Sequence, residues 1–240
     1  MTNLITLAGN GARFSIEGFD LPKPLILVKG IPMIFRAVDS LPIADKYVFV
    51  CKSDHIKKYN LGKILSNKYP NVEIVTVDKT TKGQACTAEI GILNSTIDID
   101  DEILISSCDY GLKWNNKFYN KLTSDIIVWS TIHNKSFSSN PNSYSWLSVD
   151  SSGNLLKTYV KQKTFKNSYN EHAIVGTFYF KKAKYFLEGL EQIYKNNITS
   201  NGEFYIDNIF NSITDLDVKI FDVDEYYCWG TPKDLKDYEN

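Results

Sequence analysis

The first stretch of the chain constrains its fold more than any other. Leu4-Ile5-Thr6-Leu7-Ala8 is a nearly unbroken apolar run that turns into Gly9-Asn10-Gly11. The turn delivers Arg13 and, ten residues later, Lys23 in a Pro22-Lys23-Pro24 frame. A strand without polar alternation is covered on both faces, as strands in parallel sheets are. Glycines after such a strand let the backbone take dihedrals closed to other residues, so successive N–H groups can approach a phosphate. Arg13 offers a fork for phosphate oxygens and Lys23 a compact, mobile charge. The competing reading is an ordinary strand-to-helix turn with two surface cations. Arg13 and the Pro-Lys-Pro frame together weigh against it.

The same grammar continues down the chain. Tyr47–Cys51, Asn71–Val77, an apolar stretch from Glu102 that ends in Asp109, Asp125–Ser130 and Ala173–Phe180 read as strands. Met33–Val38 (with Pro32 early in the helix), Ile56–Leu65, a stretch that opens in the polar loop Lys79–Ala88 and ends near Leu93, and Trp114–Leu122 read as helices. Leu25–Val28 reads as a short strand before a turn at Lys29–Pro32, and Trp146–Val149 with Leu155–Val160 as a hairpin around Asp150–Asn154. Strand and helix alternating through the first third predict a doubly wound α/β sheet.

Composition narrows the function classes. The 240 residues suffice for one large α/β domain. With 27 Lys and Arg against 28 Asp and Glu, the chain lacks the basic surface that a general nucleic-acid binder needs. Cys51, Cys86, Cys108 and Cys228 are scattered in apolar surroundings without a CxxC pair, which predicts reduced thiols in a cytoplasmic protein. No apolar segment approaches the roughly 20 residues that span a bilayer, and no signal peptide precedes Leu4. The expectation is a cytoplasmic protein with no membrane partner.

One acid stands out. Asp109 ends the apolar strand that begins at Glu102, so its carboxylate is expected at the strands' carboxyl ends, where such sheets bind ligands. Mg²⁺ is usually held by one or two carboxylates plus substrate oxygens. The plainer alternative is an Asp capping the helix around Trp114.

The string LAGNGARF followed by PKPL resembles the signature loop of the nucleotidyltransferases that include sugar-1-phosphate pyrophosphorylases and phosphocholine cytidylyltransferases. It departs from that family's habit at Asn10 and Ala12. The resemblance implies an α/β fold: a three-layer, Rossmann-like (glycosyltransferase-A-like) mixed and mostly parallel sheet with a small acceptor-binding subregion. One nucleotidyltransferase domain would span 1–240, binding the nucleotide through about 1–112 and the acceptor through about 113–240. Arg13 and Lys23 would be catalytic. Leu7, Ala8, Gly9, Asn10 and Gly11 would hold the nucleotide, joined by Thr81, Gly83 and Gln84 from the loop that opens the helix ending near Leu93; helix capping by Thr80 or Thr81 is the simpler reading of that loop. Asp109 would be the magnesium aspartate.

In the acceptor half, the resemblance sets Lys161-Gln162-Lys163 before the Val175-Gly176 strand. Lys163 takes the place of the lysine that grips the acceptor's phosphate, and Lys161 stands where an acid usually binds hydroxyls. Gly176 and Glu203 are further acceptor candidates; Glu203 and Asp207 are spaced to share one helical face. The family's second magnesium aspartate would fall at Cys228 or Trp229. The nearest acids are Asp222 and Asp224, on one face of a strand, and Asp224 is the choice because it is nearer Gly230.

The implied reaction transfers NMP from an NTP to a sugar phosphate or a phosphorylated amino compound or alcohol. It releases pyrophosphate, uses Mg²⁺, and would supply precursors for surface polysaccharide. The chain's size leans towards CTP, and a homo-oligomer is left open. Two alternatives are carried: a glycosyltransferase of similar fold, disfavoured by Asp109-Tyr110-Gly111 in place of Asp-x-Asp, and a non-catalytic nucleotide-binding regulator. His55, His133 and His172 are read as surface or structural residues.

Overall fold

The computed structural model describes residues 1–120, 123–134, 137, 140–162 and 171–240. In chain order the first half holds β1 (Thr2–Leu7), α1 (Ala12–Ile16), β2 (Leu27–Val28), β3 (Ile31–Pro32), α2 (Met33–Val38), β4 (Lys46–Lys52), α3 (Ser53–Tyr59), α4 (Leu61–Lys68), β5 (Val72–Val77), α5 (Gln84–Leu93), β6 (Ile103–Ser106), β7 (Tyr110–Lys113) and α6 (Asn116–Tyr119). The second half adds β8 (Ile126–Thr131), β9 (Trp146–Val149), β10 (Leu155–Tyr159), β11 (His172–Phe180), α7 (Ala183–Lys195), β12 (Val218–Asp222), β13 (Glu225–Cys228) and α8 (Pro232–Glu239).

Nine strands make one mixed sheet. β5, β4, β1 and β6 lie side by side and parallel; β11 runs antiparallel to β6, β8 and β9; β12 pairs parallel with β8, and β10 closes the edge beside β9. The apolar runs are continuous because both faces are covered. Leu4, Val48 and Val50 pack with α5 (Ala85, Ala88, Ile92) and α7 (Phe186, Leu190, Ile193) on one side. Ile5, Leu7, Phe49 and Cys51 pack with α2 (Ile34, Val38) and α4 (Leu61, Leu65) on the other. Neighbouring residues on a strand point to opposite faces, so β1 feeds both layers. This is the three-layer α/β architecture the sequence implies.

Four local expectations are corrected. Leu25–Val28 is not one strand: Lys23–Leu25 forms a 3₁₀ turn, and Leu27–Val28 pairs with Ile31–Pro32 through left-handed Lys29 (φ 46) and Gly30 (φ 78). The helix expected over Ile56–Leu65 is broken by Asn60 in the left-handed region (φ 51), giving α3 and α4. Asp109 leads into β7 rather than capping a helix, and the helix beyond it is only Asn116–Tyr119 among the described residues. Glu203 precedes the 3₁₀ segment Ile206–Asn211, so it does not share a helical face with Asp207.

Candidate active site

The carboxyl ends of β1 and β6 lie side by side, and the loops leaving them wall a cleft of about 1100 Å³. Leu7, Ala8, Gly9 and Arg13 line it from the end of β1 and the segment after it, and Thr80, Thr81, Gly83 and Gln84 from the loop after β5 and the start of α5; Asp109 lines it not from the end of its strand, which stops at Ser106, but from the turn between β6 and β7. Gly11 (φ +61) starts α1, and a Cβ there would stand 3.3 Å from Lys23 Cβ, so the loop leans directly on the lysine's stem. A Cβ at Gly9 would meet nothing within 4 Å, which leaves the loop's cleft side open to a ligand. Buried Phe14 seats α1 on a satellite core with Trp229 and Leu235. Asn10 and Gly11 do not line the cleft wall; Asn10 Oδ1 instead accepts from Lys52 Nζ (2.9 Å) and Thr80 Oγ1 (2.7 Å), clasping the first loop to the loop after β5.

At the cleft's centre Lys23 Nζ donates to Asp109 Oδ2 at 2.8 Å and to the Gly230 carbonyl at 3.2 Å. Burial opposes ionisation of Asp109, yet the Lys23 ammonium and the Ser107 hydroxyl outweigh it and hold the carboxyl below its usual range. Burial likewise works against the charge on Lys23, but Asp109 more than restores it. Asp109 is placed by β13, which pairs antiparallel with β7 (Cys228 opposite Tyr110) and continues into a Trp229 N–H donated to the Asp109 carbonyl at 2.8 Å.

The structure does not bring Asp224 to this point. It is exposed, its N–H donates to the Lys113 carbonyl at the far end of the β7–β13 pair, and it lies in the turn after β12 rather than on a strand. Asp222 Oδ1 is engaged by Ser130 Oγ and His172 Nδ1. The cleft-lining acid near Asp109 is instead Asp234, in the first turn of α8, where it forms a capping box with Thr231. A Cβ at Gly230 would lie 3.6 Å from Asp109 Oδ2, 3.8 Å from Asp234 Oδ2 and 3.5 Å from Cys228 Sγ. Two carboxylates therefore face one gap that glycine keeps open. Burial pushes the Cys228 thiol up to about 11, so it stays protonated and is a poor ligand for a hard cation. Among the described residues no three His, Cys, Asp or Glu gather round one point. The two carboxylates, with substrate oxygens, nevertheless form the hard donor set that Mg²⁺ takes. Asp234 was legible only as Thr231-Pro232-Lys233-Asp234, a capping-box pattern.

Beside the first loop, Gln84 Nε2 approaches Thr6 Oγ1 (3.4 Å), and Thr81 and Thr87 hydroxyls meet at 2.6 Å. Gly83 (φ +130) is packed on Phe204, where a Cβ would be 2.4 Å from the carbonyl oxygen; Ala85 N–H donates to that oxygen and Phe204 N–H to the Lys82 carbonyl. At the other end Lys161, Gly176 and Glu203 all line the cleft, while Lys163 lies outside the described residues. Lys161 Nζ donates to the Ser143 carbonyl (2.7 Å) and lies 5.1 Å from the centre of the Tyr205 ring. Gly176 (φ +95) sits within the register shift of β11 against β8, and a Cβ there would be 3.2 Å from the Tyr110 ring. Sequence reasoning missed Tyr144, Tyr205 and Tyr226 in the wall. It had placed Asp207 beside Glu203; Asp207 is buried, accepts from Ser145 Oγ, and has its carboxyl pushed up by that burial.

No family model matches the sequence, and no curated protein does. Solved structures do match, over essentially the whole chain. A nucleoside-diphosphate-sugar pyrophosphorylase from Vibrio cholerae RC9 aligns with a TM-score of 0.81 at 16% identity, covering 100% of this chain and 99% of that one. The inositol-1-phosphate CTP transferase from T. maritima aligns at 0.74 and 18% identity, covering 99% and 93%. HddC from Yersinia pseudotuberculosis aligns at 0.70 and 14% identity, covering 99% and 97%.

Proposed function

We propose, from the premise that this chain carries the nucleotidyltransferase fold, that it transfers a nucleoside monophosphate from an NTP to a phosphomonoester and releases pyrophosphate. One observation carries this reading: Arg13 and Lys23 from the segment after β1, Gln84 from the start of α5 and Asp109 from the turn after β6 line a single cleft at the strands' carboxyl ends.

An oxygen of the acceptor's phosphate bonds to the α-phosphorus, the bond from that phosphorus to the bridging oxygen breaks, and its electron pair leaves with pyrophosphate. The acceptor phosphate is already an anionic nucleophile at neutral pH, so no general base is required. Arg13 and Lys23 hold the charge that spreads over the phosphoryl oxygens, and the glycine loop positions the triphosphate. Lys161, with Lys163 proposed from the sequence beside it, would draw in the acceptor's phosphate. Asp109 and Asp234 are the residues that would hold Mg²⁺, which when bound supplies charge neutralisation on the triphosphate. The neighbours' names include a CTP transferase, in line with the lean towards CTP; the acceptor is proposed to be a sugar phosphate or a phosphorylated amino compound or alcohol.

The test is a pyrophosphate-release screen of the four NTPs against sugar phosphates, phosphocholine and phosphorylated amino compounds. Release that requires one NTP and one acceptor supports the reading. A second reading, a nucleotide-binding regulator without turnover, is favoured by Cys228 and Trp229 standing where a second carboxylate is expected. Tight NTP binding with no release from any pair would establish it.

A further inference from the structure

The ammonium at the centre of the cleft occupies the place of a cation. Lys23 Nζ lies on Asp109 Oδ2 at 2.8 Å and on the Gly230 carbonyl at 3.2 Å, two oxygen donors of the kind a hard cation takes. Without it Asp109 would carry a charge with no counter-ion in a largely buried site. We propose that Lys23 is a placeholder: its ammonium holds the cation position in the nucleotide-free protein and gives it up only when a metal–nucleotide complex enters.

The surroundings permit the exchange. The lysine's stem rests on Gly11, and its ammonium stands 5.6 Å from the Phe14 ring centre with four rotatable bonds behind it. Asp109 Oδ2 and Asp234 Oδ2 lie on the same side of Gly230, 3.6 and 3.8 Å from where its Cβ would stand, and the space over Gly9 is open towards incoming phosphates. When phosphates take the ammonium and the metal takes the Asp109 carboxylate, every buried charge changes partner and none is left alone. Free metal, arriving without phosphates, has nothing to offer the displaced ammonium. This rests on the nucleotidyltransferase reading for what enters, but not for what the nucleotide-free protein does.

The experiment is Mn²⁺ binding followed by electron paramagnetic resonance, on the full chain, with and without a non-hydrolysable CTP analogue. Wild-type protein should bind free Mn²⁺ weakly, and Lys23→Gln should bind it about ten-fold more tightly, the scale on which a close charge pair competes. Lys233→Ala, which removes a cleft-edge ammonium paired with Asp237, should leave the affinity unchanged, and adding Asp109→Asn to Lys23→Gln should erase the gain. With the analogue present, wild type and Lys23→Gln should converge. Should Lys23→Gln disturb folding, as read by circular dichroism, Lys23→Met replaces it. An unchanged affinity in the lysine variants, or an equal gain in Lys233→Ala, overturns the proposal. So does an analogue that binds wild type but never brings Mn²⁺ with it, because Lys23 would then hold the place permanently. Loss of the underlying reading looks different: the nucleotide itself fails to bind.

Discussion

Lys23 and Asp109 depend on each other for their charge states. Burial penalises both, and the 2.8 Å contact is what keeps Asp109 ionised and Lys23 protonated. Lys23→Ala should therefore cut turnover about 10²–10³-fold, the usual cost of one preorganised transition-state donor, while far-ultraviolet circular dichroism stays unchanged. Near-normal kinetics in a folded variant would remove Lys23 from the chemistry. A second residue-scale coupling lies outside the cleft. His172 Nδ1 meets Asp222 Oδ1 at 2.9 Å, and that hydrogen bond raises the imidazole's pKa above 6.5 despite partial burial. A raised folded pKa stabilises fully below 6.5 and loses that contribution as pH climbs through the folded value. Melting temperature should thus fall across about pH 6 to 8 more steeply in wild type than in Asp222→Asn. Parallel slopes would show that the pair contributes nothing.

At the scale of elements, two glycines at the cleft separate packing from function. Gly83 combines φ +130 with a Cβ position 2.4 Å from the Phe204 carbonyl oxygen, so Gly83→Ala must push α5's entry loop off the segment that pins it. The expected cost is about 1–3 kcal/mol of stability, with nucleotide affinity falling in the same variant. Gly230→Ala meets only ordinary contacts of 3.5–3.8 Å, so denaturant unfolding should shift by less than about 0.5 kcal/mol, while the added methyl crowds the gap between Asp109 and Asp234 and weakens the Mg²⁺ dependence of turnover. Equal losses in both variants would contradict this division. β1, β4 and β6 were legible because a strand covered on both faces writes a nearly unbroken apolar run, whereas β5, at the end of the sheet, interrupts its run with Glu73 and Thr76. The β2–β3 hairpin and the α3/α4 break were not: Lys29 gives no sign of its left-handed backbone, and Asn60, though of a type that adopts that conformation more readily than most, sits inside a run with helical spacing that masks the break.

For the molecule as a whole, the first half of the cleft was largely readable, and the second only in Lys161, Gly176 and Glu203. Arg13, Lys23, Thr81, Gly83, Gln84 and Asp109 follow strands whose carboxyl ends must converge, so local sequence locates them. Asp234 and Tyr226 reach the cleft only because β13 crosses back to pair with β7, a long-range pairing that no local pattern encodes. The same topology predicts where a nucleotide acts. A non-reactive analogue at 100 times its Kd stabilises the fold by about 2.7 kcal/mol, so core amides that exchange through global unfolding should slow about a hundred-fold throughout the sheet. Loop amides open locally and should slow only where the ligand touches. Hydrogen exchange should therefore show new protection in 8–13, 80–87 and 228–231, drawn from both halves of the chain. At the opposite ends of the strands, Leu41, Ile43, Trp114 and Tyr179 line a smaller recess of about 480 Å³, and the loop at 41–44, where Ile43 is exposed, should exchange as before. Protection confined to 8–13 and 80–87 would mean that β13 and α8 take no part in nucleotide binding, and Asp234 would lose its place beside Asp109.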